Sequence, residues 1–158
     1  MPKIKARAAD ALELLKDDHD NVKKAFKQFE KMDRSALAAC RELVARVCAD
    51  LRVHSMLEEE ILYPAVREVI DDEEFMNEAA VEHDTADTLI DQLERMEPDD
   101  PSYFATFTVL GEYVNHHVEE EEGEMFPQAR KAKSLDLAAL GERIESRRGE
   151  LTAEMEEG

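Results

Sequence analysis

Two segments of the sequence repeat one arrangement of potential metal ligands. Each reads histidine, three residues, glutamate, five residues and proline, and an aromatic residue directly precedes each proline. The histidine and glutamate are His54 and Glu58 in the first segment, and His117 and Glu121 in the second. Residues four positions apart project from the same face of a helix. Each segment therefore presents an imidazole and a carboxylate side by side, which is half of a metal site.

Helical periodicity shows which elements must position these residues. Apolar residues recur three and four positions apart over five stretches, at about 8–32, 33–69, 72–96, 100–131 and 134–156. The connections are short, so neighbouring helices should be antiparallel. The fold class predicted is all-α: an up-down-up-down antiparallel four-helix bundle over about 8–131, with an added C-terminal helix over about 135–156. We expect residues 1–158 to form one domain.

Caps and prolines refine the predicted boundaries. Asp33 or Ser35 can cap the second helix, and Asp100 can cap the fourth. Pro64 and Pro127 lie inside the helical pattern, and each should kink its helix rather than end it.

Each of the first four helices carries a histidine on its apolar face, and two glutamates occupy positions where the pattern calls for Leu or Ile. The six polar residues at core positions are His19, His54, Glu58, His83, His117 and Glu121. Without partners, burying them would cost roughly 2 kcal/mol or more each, which the small net stability of a folded protein cannot absorb. Bound metal ions remove this cost, because they neutralise the carboxylates and bind the imidazoles.

The ligand types narrow the choice of metal. Mixed imidazole and carboxylate donors suit iron, manganese or zinc, and the lack of thiolates in the pattern disfavours copper(I) and iron–sulfur clusters. Four histidines and two carboxylates exceed what one tetrahedral zinc ion needs. They fit two ions joined by bridging carboxylates.

Bulk composition excludes several classes of partner. The net charge of −19 argues against nucleic-acid phosphates and anionic membrane surfaces. The basic N-terminal segment 1–7 lacks the apolar run of a signal peptide, and no stretch is long enough to span a membrane. Cys40 and Cys48 lie in a helical pattern without a CxxC motif, so we expect reduced, buried thiols and a cytoplasmic location.

These residues resemble the hemerythrin-like family, the histidine-histidine-glutamate (HHE) cation-binding domains. The resemblance covers about residues 10–130. It rests on the two repeated segments, an early His-Asp at 19–20 and a Glu-His-Asp at 82–84, all in the order typical of the family. The resemblance implies a non-haem di-iron site inside a four-helix bundle, with oxygen or a related small molecule as ligand.

The resemblance also implies a role for each ligand. His19 and His54 would bind one iron, and His83 and His117 the other. Glu58 and Glu121 would bridge the two irons, together with an oxide or hydroxide. About five donors per iron would then leave one vacant position on each.

The sequence departs from the oxygen-carrying hemerythrins at Asp87, where those proteins have a further histidine. Asp87 could coordinate, hydrogen-bond to a ligand, or lie at the rim, and the last two are favoured. The same ligand set resembles the iron-centre-repair proteins, but we do not expect that role, because residues 1–158 contain no counterpart of their cysteine-bearing N-terminal domain.

Three further features have more than one interpretation. His116 has a glutamate four residues later and could replace His117, although only His117 lies ten residues before the proline. The glutamate runs at 58–60 and 119–122 are interpreted as a solvated helix face, with an iron-uptake path as the alternative. Tyr63 and Phe126 are interpreted as packing residues, and a redox role for Tyr63 has no support in the sequence.

The functional hypothesis is a di-iron protein that binds O2, peroxide or NO for oxygen sensing, delivery or stress defence. Two alternatives stay open. One is a peroxide-decomposing di-iron enzyme, which two vacant positions would favour. The other is an iron sensor or store.

Overall fold

Helices account for nearly all of residues 8–157, the part of the chain that this computed structural model describes. Their bounds are α1 Ala11–Lys31, α2 Leu37–Leu57, α3 Tyr63–Val69, α4 Glu73–Arg95, α5 Tyr103–Glu120, α6 Phe126–Lys131 and α7 Leu137–Glu157. Two π-helical segments, Glu58–Leu62 and Glu121–Met125, join α2 to α3 and α5 to α6. No strand occurs in this range. The predicted absence of a signal peptide concerns segment 1–7, which lies outside the described residues.

Four rods form the predicted bundle. They are α1, the continuous α2–π–α3, α4, and the continuous α5–π–α6. α1 packs against α2 and α5, and α4 packs against the same two, so successive rods are neighbours around the bundle. α7 lies outside, against α1 and α2. The prediction of an all-α, up-down-up-down bundle with an added C-terminal helix is confirmed.

Local hydrogen bonds set the helix starts. Asp10 caps α1, accepting from the Glu13 backbone N–H at 2.9 Å while the Glu13 side chain accepts from the Asp10 N–H. The predicted caps of α2 and α5 are wrong. The Asp33 carboxylate is occupied by the N–H and hydroxyl of Ser35, and Asp100 accepts from the N–H of residue 102 in the loop before α5. Both aspartates stabilise turns, because a short acidic side chain readily bonds the backbone two residues on.

The two internal prolines are accommodated by π turns. Both rods continue past their proline, as predicted, and each passes through a five-residue π segment just before it. Backbone bonding there changes to the i→i−5 pattern: Tyr63 N–H donates to Glu58 O, and Phe126 N–H donates to Glu121 O. Each π segment begins at a glutamate of the repeated pattern. π-helical turns often occur at functional sites.

Two apolar clusters fill the bundle, one toward each end. One contains Leu12, Leu57 and Met125 with the inner face of α7, and the other contains Phe26 and Phe107 with residues of α2, α4 and α5. α7 approaches α1 closely at Gly141, where a Cβ atom would lie 2.9 Å from the Ala9 carbonyl oxygen. Within residues 8–157, no helix is both long and apolar enough to cross a membrane.

Candidate metal centre

The six predicted ligands converge in a polar layer between the two apolar clusters. Each residue lies on a different helical turn, and all four rods contribute at least one. His19 lies on α1, His54 on α2, Glu58 at the start of the first π segment, His83 on α4, His117 on α5 and Glu121 at the start of the second π segment. Both glutamates are fully buried. The role of these six residues as metal ligands stays a prediction, whereas their convergence is observed in the structure.

The histidines form two pairs that face each other through their Nε2 atoms. His19 Nε2 lies 3.1 Å from His54 Nε2, and His83 Nε2 lies 3.3 Å from His117 Nε2. Each pair combines histidines from two neighbouring rods. The imidazoles therefore converge at two separate points.

The glutamates lie between the histidine pairs. Glu121 places Oε1 3.3 Å from His19 Nε2 and Oε2 2.9 Å from His117 Nε2, so its two oxygens reach opposite pairs. Glu58 Oε1 lies 3.2 Å from His54 Nε2 and 3.1 Å from His83 Nε2. Both carboxylates therefore contact histidines of both pairs.

A carboxylate at the outer nitrogen of every ring orients the four histidines. The Nδ1 contacts are His19 to Glu122 at 2.9 Å, His54 to Asp18 at 2.9 Å, His83 to Glu59 at 3.0 Å and His117 to Glu82 at 3.2 Å. A carboxylate can only accept a hydrogen bond, so Nδ1 of each ring carries the proton. The Nε2 lone pair then points into the centre, as in metal sites whose histidines are oriented by carboxylates.

Sequence reasoning missed these four carboxylates. Asp18, Glu59, Glu82 and Glu122 each adjoin a predicted ligand in the chain, and this adjacency was the available signal. The interpretation of the glutamate runs as a solvated face is incomplete: Glu59 is exposed as expected, but it and the partly buried Glu122 also bond to imidazoles of the centre.

The centre contains an excess of acceptors. Among the described residues, Glu58 Oε1, Glu58 Oε2 and Glu121 Oε1 are buried without a hydrogen-bond partner. The nearby Nε2 atoms do not supply donors while Nδ1 holds the ring proton. Leaving such groups unpaired is costly, and cations placed between the lone pairs would satisfy all of them. The donor set therefore fits bound metal ions.

In the absence of metal, protons take the place of the cations. Burial lowers the pKa of His54, but Glu58 and Asp18 outweigh it and raise the pKa to about 10. Burial likewise opposes the rise at His117, where Glu121, Glu58 and Glu82 raise the pKa to about 12. Burial raises the pKa of Glu58, yet the imidazoles of His54 and His117 bring it well below its ordinary value. The centre thus strongly favours positive charge.

Tyr63 contributes a further donor that the sequence did not reveal. Its hydroxyl donates to Glu121 Oε2 at 2.6 Å and lies 3.2 Å from His83 Nε2 and 3.1 Å from His117 Nε2. Burial and the two glutamates hold its pKa well above the ordinary value. The residue at the equivalent position of the second segment, Phe126, stacks on His19 with ring centroids 6.0 Å apart. The two histidine pairs therefore have chemically unequal surroundings.

The two ambiguous residues lie outside the centre. The side chain of His116 is 63% exposed and points to the surface, whereas that of His117 is 13% exposed and reaches inward. The swapped assignment is therefore not favoured. Asp87 is half-buried, and burial together with nearby Glu59 raises its pKa. Glu59, and not Asp87, contacts the outer nitrogen of His83, and Asp87 belongs to none of the ligand clusters among the described residues.

A small cavity adjoins the centre, and Tyr63 is not among its lining residues. Its volume is about 40 Å³, and its polar wall is formed by all four histidines of the centre together with Asp18, Ser55, Glu58 and Glu82. The rest of the wall is mainly apolar and includes Val22, Leu51, Ala86, Ile90 and Val114. A buried water molecule needs a cavity volume of roughly 10–15 Å³, so this cavity has room for about three water molecules.

Comparison with known proteins agrees with this geometry. The family model of the hemerythrin HHE cation-binding domain matches residues 10–129, which include all six convergent residues. The chain belongs to the hemerythrin HHE family. Its buried histidine–glutamate cluster could bind metal, as the name of the family indicates.

Two relatives show how far the likeness extends. A crystal structure of an HHE cation-binding-domain protein from Mycobacterium kansasii superposes with a TM-score of 0.77, covering 92% of this HHE chain and 89% of that chain at 20% identity. This likeness shows the fold alone. A DNA nickase from Nostoc sp. (strain PCC 7120 / SAG 25.82 / UTEX 2576) is 25% identical over 124 residues, or 78% of this chain. The match covers 34% of the nickase, about a third of its length.

Proposed function

We propose that this protein holds two non-haem iron ions and binds O2 or a related small oxidant, peroxide or NO, for oxygen sensing, delivery or stress defence. The observation that carries this proposal is the convergence of four histidine Nε2 atoms on two buried glutamates, three of whose carboxylate oxygens have no hydrogen-bond partner among the described residues. We place the protein in the cytoplasm, in keeping with the free, buried thiols of Cys40 and Cys48.

Two groups of donors support two ions. His19, His54, Glu58 and Glu121 offer ligand atoms that all lie within 4.8 Å of one another, as do Glu58, His83 and His117. Glu58 belongs to both groups, and the oxygens of Glu121 reach both histidine pairs. One ion could not contact all four imidazoles, because each pair meets at its own point.

The donors favour iron over zinc. Each position offers imidazole together with hard carboxylate oxygen, and the second position adds a phenol oxygen. A single tetrahedral zinc ion would need only four donors, fewer than this centre offers. Iron, when bound, supplies the redox chemistry by which an oxidant is recognised. The protein residues supply the ligands, orient them and exclude bulk water.

Tyr63 changes the expected symmetry of the centre. The ligand set that the sequence predicted leaves one vacant position at each ion. The Tyr63 oxygen lies within 3.2 Å of the Nε2 atoms of both His83 and His117, so it is placed to fill that vacancy at the second ion. Only the ion beside His19 and His54 then keeps an open position. This asymmetry favours binding of a small ligand at one end.

The cavity limits what can reach that open position. With about 40 Å³ and mainly apolar walls, it suits a molecule of two heavy atoms such as O2, NO or peroxide. Tyr63 does not line the cavity, so a ligand held in it would not contact the phenol.

Peroxide decomposition is the second candidate, and the cavity wall favours it. Besides the apolar residues, the wall carries the hydroxyl residues Ser55 and Tyr113 and the carboxylate of Glu82, groups able to move protons. The reaction would convert two peroxide molecules into two waters and one O2. Oxygen evolution no faster than that of an equal amount of free iron would eliminate this candidate.

The nickase activity of the Nostoc relative is not carried over. A net charge of −19 repels the phosphate backbone, whereas DNA binding depends on cationic side chains that displace counterions.

Elemental analysis combined with visible spectra tests the di-iron proposal. We expect about two irons per chain and a visible band that changes when the reduced protein meets air or peroxide. Glu58→Gln should lose iron, because it weakens a ligand shared by both positions. The matched control is Glu124→Gln, an exposed glutamate of the second π segment. A single zinc with no response to oxidants, or unchanged iron content in Glu58→Gln, contradicts the proposal.

A further inference from the structure

A second cluster of potential metal ligands lies on the surface beside the centre. His116 Nε2 is 3.1 Å from Glu120 Oε1, one turn later on α5, and 3.8 Å from Glu82 Oε2 on α4. The three ligand atoms all lie within 4.8 Å of one another. This cluster repeats, one residue earlier along α5, the histidine–glutamate spacing of the interior pairs.

Glu82 joins the surface cluster to the interior centre. Its Oε1 accepts the His117 Nδ1 proton at 3.2 Å, while its Oε2 faces His116. One carboxylate thus contacts an interior imidazole and an exposed one. A cation bound outside would be separated from the interior centre only by Glu82 and the His117 ring.

The surroundings of the cluster are concave and strongly acidic. The hollow has a volume of about 660 Å³ and is lined by Glu73, Glu74, Asn77, Glu78 and Val81 of α4, together with the three cluster residues. It therefore holds five carboxylates and one imidazole. None of the described lining residues is Lys or Arg, and a single protonated histidine could offset only a fifth of that negative charge.

Several other surface carboxylates of this protein are paired with arginine side chains. Arg52 bonds to both Asp91 and Glu94, Arg147 bonds to Glu60, and Arg41 bonds to Glu97. An ordinary helical ion pair would account for His116 and Glu120 alone. It would not account for the shared Glu82 carboxylate or for the three further glutamates of the hollow.

We propose that His116, Glu120 and Glu82 form a surface site for a divalent first-row transition cation, coupled to the interior centre through Glu82. One imidazole and two carboxylates, completed by water, are a ligand set that zinc, iron and manganese accept. An ion in this site binds the Glu82 carboxylate. It thereby weakens the hydrogen bond that Glu82 accepts from His117 Nδ1. Occupancy outside therefore alters the electronic state of the interior.

Equilibrium dialysis of the full-length, metal-loaded protein against micromolar Zn2+ tests the site. We expect three ions per chain in total for the wild type, counting resident metal and zinc together, and two for the double variant His116→Ala, Glu120→Gln. Glu119→Gln removes a charge from the same turn without removing a ligand atom, and it should retain three. Equal numbers of bound ions in the wild type and the double variant would overturn the proposal.

The visible spectrum of the same samples tests the coupling, which rests on the proposed iron centre. Zn2+ should shift the interior band in the wild type and in Glu119→Gln, but not in the double variant. A third ion bound with no spectral change would refute coupling through Glu82. Failure of the di-iron proposal would show separately: the interior count would fall, while the difference of one ion between wild type and double variant would persist.

Discussion

Asp18 Oδ2 accepts hydrogen bonds from both His54 Nδ1, at 2.9 Å, and Arg148, at 2.8 Å. Burial raises the pKa of Asp18, but the bonds to His54 and Arg148 outweigh it and lower the net pKa. The carboxylate is therefore ionised and held in place from two sides. Since Arg148 belongs to α7, the added C-terminal helix takes part in orienting a residue of the centre.

Asp18→Asn should weaken metal binding without disturbing the fold. The amide can still occupy the position, but it is a poorer acceptor for the His54 ring proton and a poorer partner for Arg148. Loss of an orienting group of this kind lowers metal affinity about 10- to 100-fold. Competition with a chelator measures the change. Asp17→Asn, at an exposed neighbouring position, is the control, and equal affinities in the two variants would contradict the argument.

Tyr63→Phe tests the asymmetry of the centre. If the Tyr63 oxygen binds the ion beside His83 and His117, the iron protein has a phenolate-to-metal band that the variant loses. Tyr103→Phe alters a tyrosine buried in the other apolar cluster and should leave the spectrum unchanged. Identical visible spectra for wild type and Tyr63→Phe would show that the phenol is only a hydrogen-bond donor to Glu121.

Ala86→Leu tests whether the cavity admits the oxidant. The larger side chain would project into a space of about 40 Å³. Reaction of the reduced protein with O2 or peroxide should slow about tenfold or more, while metal content stays the same. Ala80→Leu places the same side chain on an exposed part of α4. Stopped-flow rates that match in the two variants would mean that the ligand takes another route.

Removal of metal should make stability depend on pH. In the metal-free protein, nearby carboxylates raise the pKa of His54 to about 10 and of His117 to about 12, against about 6.5 when unfolded. Raised values mean that bound protons stabilise the fold below about pH 6.5, and that this contribution is lost as the pH rises toward those values. The loss is up to about 1.4 kcal/mol per pH unit for each histidine.

Thermal unfolding of both forms measures this effect. The Tm of the metal-free protein should fall between about pH 6.5 and pH 9, while the metal-loaded protein changes little, because metal replaces the protons. The gap between the two Tm values should therefore widen with pH. A constant gap would mean that the histidines and the ions do not compete for the same lone pairs.

Sequence reasoning succeeded where the relevant interactions are local. The spacing of four residues places His54 beside Glu58 and His117 beside Glu121 whatever surrounds the helix. The recurrence of apolar residues every three to four positions determines which face of a helix is buried. The proline register separated His117 from His116, although their types are identical. Capping was less predictable, because Asp33 and Asp100 could equally stabilise a turn or a helix start, and both stabilise turns.

Only the tertiary structure decided which groups meet across helices. The contacts of Tyr63 with His83, of Glu59 with His83 and of Arg148 with Asp18 depend on the rotation and axial shift of packed rods, which helical spacing leaves open. The same packing leaves the cavity beside His54 and the acidic hollow beside His116. The amino-acid sequence by itself determined that six polar side chains enter the core of a helical bundle. The packing of the helices decided how these six side chains pair, because the distance between two helices is set by the side chains of both helices.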